Sequence, residues 1–414
     1  MTNLYPYQLA GVEWLTSRNR ALLADDMGLG KSAQLLVSLP ESRKIGVLII
    51  CPSFLAPNWA AEIPKWRTDF NIEVVRTKAG WRLPEMGEIV ICSYGRVGSL
   101  NGLTRPLRLA VLLDEAHYVK NPRTARTRAV KELTKRAHIV RAATGTPLFN
   151  KPLDLWNTLD AIQLARPTFG GFERFVRGFN GKRCGPSLRD WQWGLPQPWV
   201  KTLLKRHMLR RTKAEVLDEL PPKVYQSISI EIDSKTKSEI DAVAAYWVDK
   251  NELPHGSQFA SARSAIARAR VPATMEILDE LEDAGKRCVV FSAHIDPVMQ
   301  VGARDGWGTI HGGISVDERF RMVERFQAGE LRGIAGTIGS MGVGLTLTEA
   351  DTVIFIDRSF NPSDNLQAED RAHRIGQKKT LQVLTFTSDH PIDARIEQIL
   401  DSKTAILRGA GLSA

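Results

Sequence analysis

Ala24–Asp25–Asp26–Met27–Gly28–Leu29–Gly30–Lys31–Ser32 sits between the apolar run Ala21–Leu22–Leu23 and an apolar helical stretch reaching Ser38. Gly28 and Gly30 permit a tight turn that points backbone N–H groups at an anion. Lys31 can reach the β and γ phosphates of a nucleotide, and the Ser32 hydroxyl can ligate Mg2+. The helix that follows sets its positive end on the same anion. Asp26, Met27, Gly28, Leu29, Gly30, Lys31 and Ser32 are therefore the expected phosphate-binding set. Asp25 stands where the strict pattern has its first glycine, so the rest of the chain must decide.

Downstream, Leu109–Leu113 runs directly into Asp114–Glu115–Ala116–His117. An apolar strand ending in paired carboxylates suits ATP hydrolysis. Asp114 would hold Mg2+ together with Ser32, and Glu115 would orient and deprotonate the attacking water. Upstream, Tyr5–Pro6–Tyr7–Gln8 offers a Gln8 amide that can donate to and accept from an adenine edge. Far along the chain, Arg371 and Arg374 lie three apart on an expected helix and share one face. They are the arginines able to stabilise charge on a transferring phosphoryl group. By spacing alone, arginines that are solvated or paired with Glu369 and Asp370 are the stronger reading, and His373 reads as structural.

Outward from these motifs, strands and helices alternate. Val47–Cys51, Ile89–Ser93, Leu109–Asp114 and Ile139–Thr144 are short, β-rich apolar runs. The same grammar returns at Cys288–Ser292, Thr309–His311, Gly333–Thr337, Val353–Asp357 and Leu381–Phe386. Helical patterns fill the gaps at Ala273–Ala284, Val316–Ala328 and Ser363–Ile375. Such runs predict α/β domains with parallel sheets covered on both faces. A chain of 414 residues also exceeds the roughly 300 at which single cores stop growing. Two lobes are expected, 1–222 and 223–414, the first with a helical protrusion over about 151–222, where Trp, Gly and Pro accumulate. The second would open with a linker.

Composition narrows the class. The longest apolar runs are strand-sized, far short of a bilayer span, and no signal peptide is visible, so a cytoplasmic or nucleoid-associated protein without a membrane partner is expected. Cys51, Cys92, Cys184 and Cys288 are scattered without metal-ligand spacing and read as reduced thiols. Lys and Arg number 56 against 46 Asp and Glu, a net +10 that suits a polyanionic partner. Lys120 to Arg141 holds eight basic residues and one acid, and Arg128, Lys131 and Lys135 fall on one helical face. Lys201, Lys205, Arg206, Arg210, Arg211 and Lys213 form a second cluster. Each suits phosphate contacts or a solvated face equally well. Among ten tryptophans, mostly expected in packing, Trp191 and Trp193 are the ones to test for base stacking.

Taken in order, Ala24–Ser32, Asp114–His117, Thr144–Gly145–Thr146–Pro147 and Gln367–Gln377 resemble the Swi/Snf-type ATPases of helicase superfamily two. The resemblance extends through Cys51–Pro52, Asn58–Trp59, Ser93–Tyr94, Lys120–Asn121, Leu209–Lys213, Leu220–Lys223, Val290–Ser292 and Gly342–Leu347. The wording of Ala24–Met27 and Gln367–Arg371 is most similar to the annealing-helicase branch.

The resemblance implies two RecA-like lobes, Mg2+ with ATP as substrate, and DNA, duplex or branched, as the track of a monomer. It assigns Gln8 and Gly344 to ATP, and Thr144, Gly145 and Thr146 to coupling. Arg371 and Arg374 become arginine fingers answering Lys31 and Glu115 across a cleft. Pro52, Ser93, Lys120, Asn121, Ser292 and Thr346 would line the DNA backbone groove. Ser359–Phe360–Asn361–Pro362 departs from the family's tryptophan pattern, and Asp233–Arg270 is shorter than the second protrusion of large remodelers, which points away from nucleosome-specific work. The implied function is DNA-stimulated ATP hydrolysis coupled to movement along duplex or forked DNA, remodelling it or displacing bound protein. Two alternatives stay open: a remodelling factor acting on a nucleic-acid-bound protein such as RNA polymerase, and a strand-separating DNA or RNA helicase.

Overall fold

A computed structural model describes residues 4–98, 107–148, 150–185, 190–217, 219–234, 237–238, 240–241, 257–341, 345–388 and 390–412. The chain forms two compact units, Met1–Asp218 with Lys403–Ala414, and Glu219–Ser402.

The first unit is built on a seven-stranded sheet ordered β3-β4-β2-β5-β6-β1-β9. Its strands are β1 (Arg20–Leu23), β2 (Gly46–Cys51), β3 (Asn71–Val74), β4 (Glu88–Ser93), β5 (Leu107–Leu113), β6 (Ala137–Ala143) and β9 (Met208–Leu209), all paired in parallel. Every residue of β2 is buried, which explains its unbroken apolar run: a central parallel strand has no solvent face. Helices α1 (Pro6–Thr16), α2 (Lys31–Val37), α3 (Ala56–Trp66) and α4 (Ala125–Arg136) accompany the sheet. The Thr124 hydroxyl caps the start of α4 by accepting from Thr127 N. Because parallel strands all run one way, the residues that follow β1, β5 and β6 emerge at one edge of the sheet. That edge carries the phosphate loop, Asp114–Glu115 and Thr144–Thr146.

The expected protrusion consists of helices Pro152–Ala161, Ala165–Phe169, Phe172–Gly178 and Pro198–Leu204 with a small hairpin of β7 (Lys182–Arg183) and β8 (Trp191–Gln192). Its aromatic residues merge with the sheet's own core. Trp191 and Trp193 stack at 5.6 Å, and Phe172 and Phe175 meet them edge-on. These two half-buried rings pack within the aromatic cluster of the protrusion. Leu407, Ala410 and Leu412 are buried in this same core, so the end of the chain belongs with the first unit rather than with the second lobe assigned to 223–414.

The second unit carries a six-stranded parallel sheet, β10-β15-β14-β11-β13-β12. Its strands are β10 (Lys223–Ile230), β11 (Cys288–Ser292), β12 (Trp307–Ile310), β13 (Gly333–Thr337), β14 (Thr352–Phe355) and β15 (Leu381–Ser388). Alternate residues feed two cores: Val289 and Phe291 join one, Cys288 and Val290 the other. The edge strand β10 is mostly exposed and mixes polar with apolar residues, so no continuous apolar run announces it. Cys51, Cys92 and Cys288 are buried free thiols, and Cys184 is exposed. Among the described residues no helix is long and apolar enough to cross a membrane.

Arg141, counted above in a basic cluster, is buried instead. Its guanidinium donates to Ser38 O and Ser38 Oγ at 2.6 Å and to Leu15 O at 3.0 Å. It thereby ties β6 to the ends of α2 and α1, and burial lowers its pKa to about 10. Arg141→Met should leave these buried acceptors unsatisfied and lower stability by about 2 kcal/mol. Urea unfolding checks this, and an unchanged midpoint would show that the tie is dispensable.

Candidate functional site

Gly28 and Gly30 have φ of 82° and 68°, the left-handed region that glycine enters without a Cβ clash. The turn they make delivers Lys31 at the start of α2. Lys31 Nζ donates to Asp25 O at 2.9 Å and Asp26 O at 3.0 Å, so the lysine folds back across its own loop. Desolvation lowers its pKa, while the charges of Glu115, Asp25, Asp114 and Asp26 pull it back up. The loop and the carboxylate pair are therefore one electrostatic cluster.

Asp114 emerges from β5, and its backbone N–H donates to Ile50 O at 2.8 Å on the neighbouring strand. One carboxylate oxygen accepts from Trp59 Nε1 at 2.8 Å and the other from Glu115 N at 3.0 Å. Burial, then the neighbouring Glu115 charge, pushes the Asp114 carboxyl well above the ordinary range; Trp59 and Lys31 oppose that shift. Glu115 has φ 51° and ψ 55°, a left-handed conformation that costs a non-glycine residue about 1 kcal/mol or more. Strain at this position holds the carboxylate where an extended backbone would not.

His117 links the acids to the next motif. Its Nδ1 lies 3.3 Å from Glu115 Oε2 and 3.2 Å from Thr144 Oγ1. Thr146 N in turn donates to Thr144 Oγ1 at 3.1 Å. Gly145 has no room for a side chain, because a Cβ would stand 2.5 Å from Met27 Cγ of the phosphate loop. Glu115, Thr144, Gly145, Thr146 and Met27 are thus brought together. No role for His117 was legible in its spacing.

Gln8 packs on the loop as well. Its Nε2 donates to Leu29 O at 3.2 Å, and its Oε1 accepts from Tyr5 N at 2.9 Å. Nε2 also makes a long bond to the Tyr7 hydroxyl at 3.5 Å, so of the amide's two N–H donors and two lone pairs only one Oε1 lone pair is uncommitted. A Cβ on Gly30 would sit 2.2 Å from Gln8 Nε2, which makes glycine necessary there for space as well as for φ.

The basic cluster at 201–213 divides between the loop and the surface. Arg210 pairs with Asp26 at 2.8 Å and donates to Ala24 O at 2.7 Å; Arg211 pairs with Asp25. These arginines hold the phosphate loop and are removed from the polyanion surface expected of them. Lys201, Lys205 and Arg206 remain exposed. On α4, Lys131 pairs with Asp160, and Lys135 with Glu132 at 2.9 Å, which leaves Arg123, Arg126 and Arg128 as that region's exposed arginines.

The residues expected along a nucleic-acid groove fall into two groups. Lys120 and Asn121 are half-buried, and Lys120 O accepts from Asn157 Nδ2 at 2.9 Å. Pro52, Ser93 and Ser292 are buried at the ends of β2, β4 and β11, and Ser292 Oγ donates to Asp357. Within the second unit, Thr346 Oγ1 accepts from Arg374 at 2.9 Å, and burial lowers the Arg374 pKa. Arg371 is buried on the helix Pro362–Ala372. The same helix is held by Lys223, which meets Glu369 at 2.9 Å and Asp370 at 3.1 Å. Burial alone would lower the Lys223 pKa, but the two carboxylates outweigh it and hold it raised. His373 Nε2 lies 2.7 Å from Pro221 O, a structural contact. Gly344 lies outside the described residues.

Residues 7–270 match the SNF2-related domain, and residues 270–376 match the helicase conserved C-terminal domain. The chain is 31% identical, over its whole length, to the SWI/SNF-related matrix-associated actin-dependent regulator of chromatin subfamily A-like protein 1 of Xenopus tropicalis, of which it covers 45%. It is 26% identical over 97% of its length to the human DNA annealing helicase and endonuclease ZRANB3, covering 40% of that protein. An uncharacterized ATP-dependent helicase of Mycoplasma pneumoniae is 28% identical over 98% of the chain, which covers 42% of it. The chain therefore spans under half the length of these curated relatives. The solved Sulfolobus solfataricus SWI2/SNF2 ATPase core in complex with dsDNA aligns over 99% of this chain and 94% of its own, at 25% identity and a TM-score of 0.46. With the family match covering residues 7–270, the glycine-rich loop and the paired carboxylates included, the chain belongs to the SNF2-related family of helicase-like ATPases.

Proposed function

We propose that this chain hydrolyses ATP in response to DNA and uses the cycle to move along duplex or forked DNA, remodelling it or displacing bound protein. The observation that carries the proposal is the clustering of Lys31 with Asp114 and Glu115 at one edge of a parallel sheet. That combination of a phosphate-seeking ammonium and a carboxylate pair, of which Asp114 is raised by burial, suits phosphoryl transfer to water. The relatives named as a DNA annealing helicase and an ATP-dependent helicase support DNA as the track and ATP as the substrate. Exposed Arg123, Arg126 and Arg128, with Lys201, Lys205 and Arg206, support sequence-independent phosphate contacts.

Within this mechanism Lys31 and the loop N–H groups bind the terminal phosphates, and Gln8 reads adenine with its free Oε1 lone pair and by exchanging its long bond to the Tyr7 hydroxyl. The donor set fits a hard divalent ion: Ser32 offers a hydroxyl, Asp114 a carboxylate, and both follow elements of the same sheet. Among the described residues no group of three or more His, Cys, Asp or Glu is placed to hold a metal, so Mg2+ would take its other ligands from phosphate and water. When bound, Mg2+ supplies neutralisation of charge on the phosphate oxygens. Glu115 orients and deprotonates the attacking water. His117 passes the state of Glu115 to Thr144 and Thr146. Arg371 and Arg374 carry the arginine-finger role.

ATP turnover measured with single-stranded, duplex and forked DNA, with RNA, and without nucleic acid tests the proposal. Duplex or forked DNA should stimulate most; stimulation by RNA alone, or by none of them, contradicts it. Glu115→Gln should abolish turnover while retaining nucleotide, and DNA-stimulated hydrolysis surviving in that variant would remove Glu115 from the site. Arg371→Ala should bind ATP normally and hydrolyse it about 10³-fold more slowly. Full activity in Arg371→Ala would exclude the finger assignment.

A further inference from the structure

Asp25 occupies the place of a phosphate-loop glycine, yet it is wholly buried. Its carboxylate accepts from Arg211 N at 3.1 Å, from Arg211 Nε at 3.0 Å, from the Arg211 fork and from Gln34 Nε2 at 3.3 Å. The same guanidinium donates to Gln34 Oε1 at 2.7 Å and to Tyr7 O, and it lies 5.3 Å from the Tyr7 ring centroid. Gln34 also donates to Leu29 O at 3.2 Å, the carbonyl that Gln8 uses. Helix α1 comes so close here that a Cβ on Gly11 would stand 1.9 Å from Gln34 Oε1 and 2.8 Å from the Arg211 guanidinium. One planar fork therefore spans the Tyr5–Gln8 turn and the phosphate loop, and no lysine could reach all of these acceptors at once.

We infer that Arg211 and Asp25 are positioning residues that set the distance between the adenine-reading turn and the phosphate loop, so that base selectivity depends on a pair that need not touch the base. This rests on the ATP reading above. A brace of this kind acts on bound substrate and transition state alike, so its loss raises KM and spares kcat. A merely structural role would instead lower the active fraction, cutting kcat for every nucleotide with KM unchanged.

The test is steady-state hydrolysis of ATP and GTP, with duplex DNA, by the whole chain and three variants. Arg211→Lys and Asp25→Asn should each raise KM for ATP about tenfold, the value of a lost charged hydrogen bond, with kcat within about threefold. Both should shrink the preference for ATP over GTP. Arg43→Lys, at an exposed surface pair, should change neither. Should Arg211→Lys fold poorly, the Asp25→Asn result and circular dichroism of both decide. An unchanged ATP:GTP ratio in a folded variant overturns the inference, as does a wild-type chain that turns over both nucleotides equally. A wild-type chain that hydrolyses neither overturns the ATP reading itself, a separate failure.

Discussion

The site is organised by a half-buried, partly desolvated ammonium. Lys31 is pushed toward neutrality by desolvation, and four carboxylates together with two loop carbonyls oppose that push. Such a group is costly to bury without partners, and its partners come from distant parts of the chain. Parallel pairing solves the problem of assembly. With strand order β2-β5-β6-β1, the residues following β1, β5 and β6 must all leave at one edge. The phosphate loop, the acidic pair and the threonine turn follow from that single topological fact.

The same edge also concentrates conformations that a stability-driven design would avoid. Glu115 adopts a left-handed backbone. Asp25 is a charged residue in a site where glycine would fit the turn. Local rules broken together at one edge, while the strands beneath follow them closely, are the pattern expected where geometry serves binding rather than folding. The buried Arg211–Asp25 pair illustrates the difference. A well-packed apolar substitute could be equally stable. Only the ion pair gives a fixed bidentate geometry linking two segments of the nucleotide site.

Much of this was legible beforehand. The glycine-rich loop, the strand leading to Asp114 and the strands of both sheets announce themselves, because buried parallel strands need continuous apolar runs and tight phosphate turns need glycine. The family match bears out the resemblance carried by those motifs. What escaped detection has a common cause. Arg210, Arg211 and Arg141 look like surface cations in a linear chain, and only their three-dimensional acceptors reveal them as internal ties. Trp191 and Trp193 likewise looked available for stacking until the aromatic cluster closed around them. Strand β10 carried no apolar run because it lies at an edge. Burial of polar groups is set by long-range packing, which neither periodicity nor composition encodes.

One site, holding nucleotide through Lys31, underlies the proposed ATP cycle. Calorimetric titration of the purified chain with ATP in the presence of Mg2+ measures it directly, without dependence on any nucleic acid. One binding site per chain is predicted, and it should vanish in Lys31→Ala while the variant keeps its fold by circular dichroism. A wild-type chain that takes up no ATP, or a Lys31→Ala chain that binds it as tightly as wild type, would contradict the central claim.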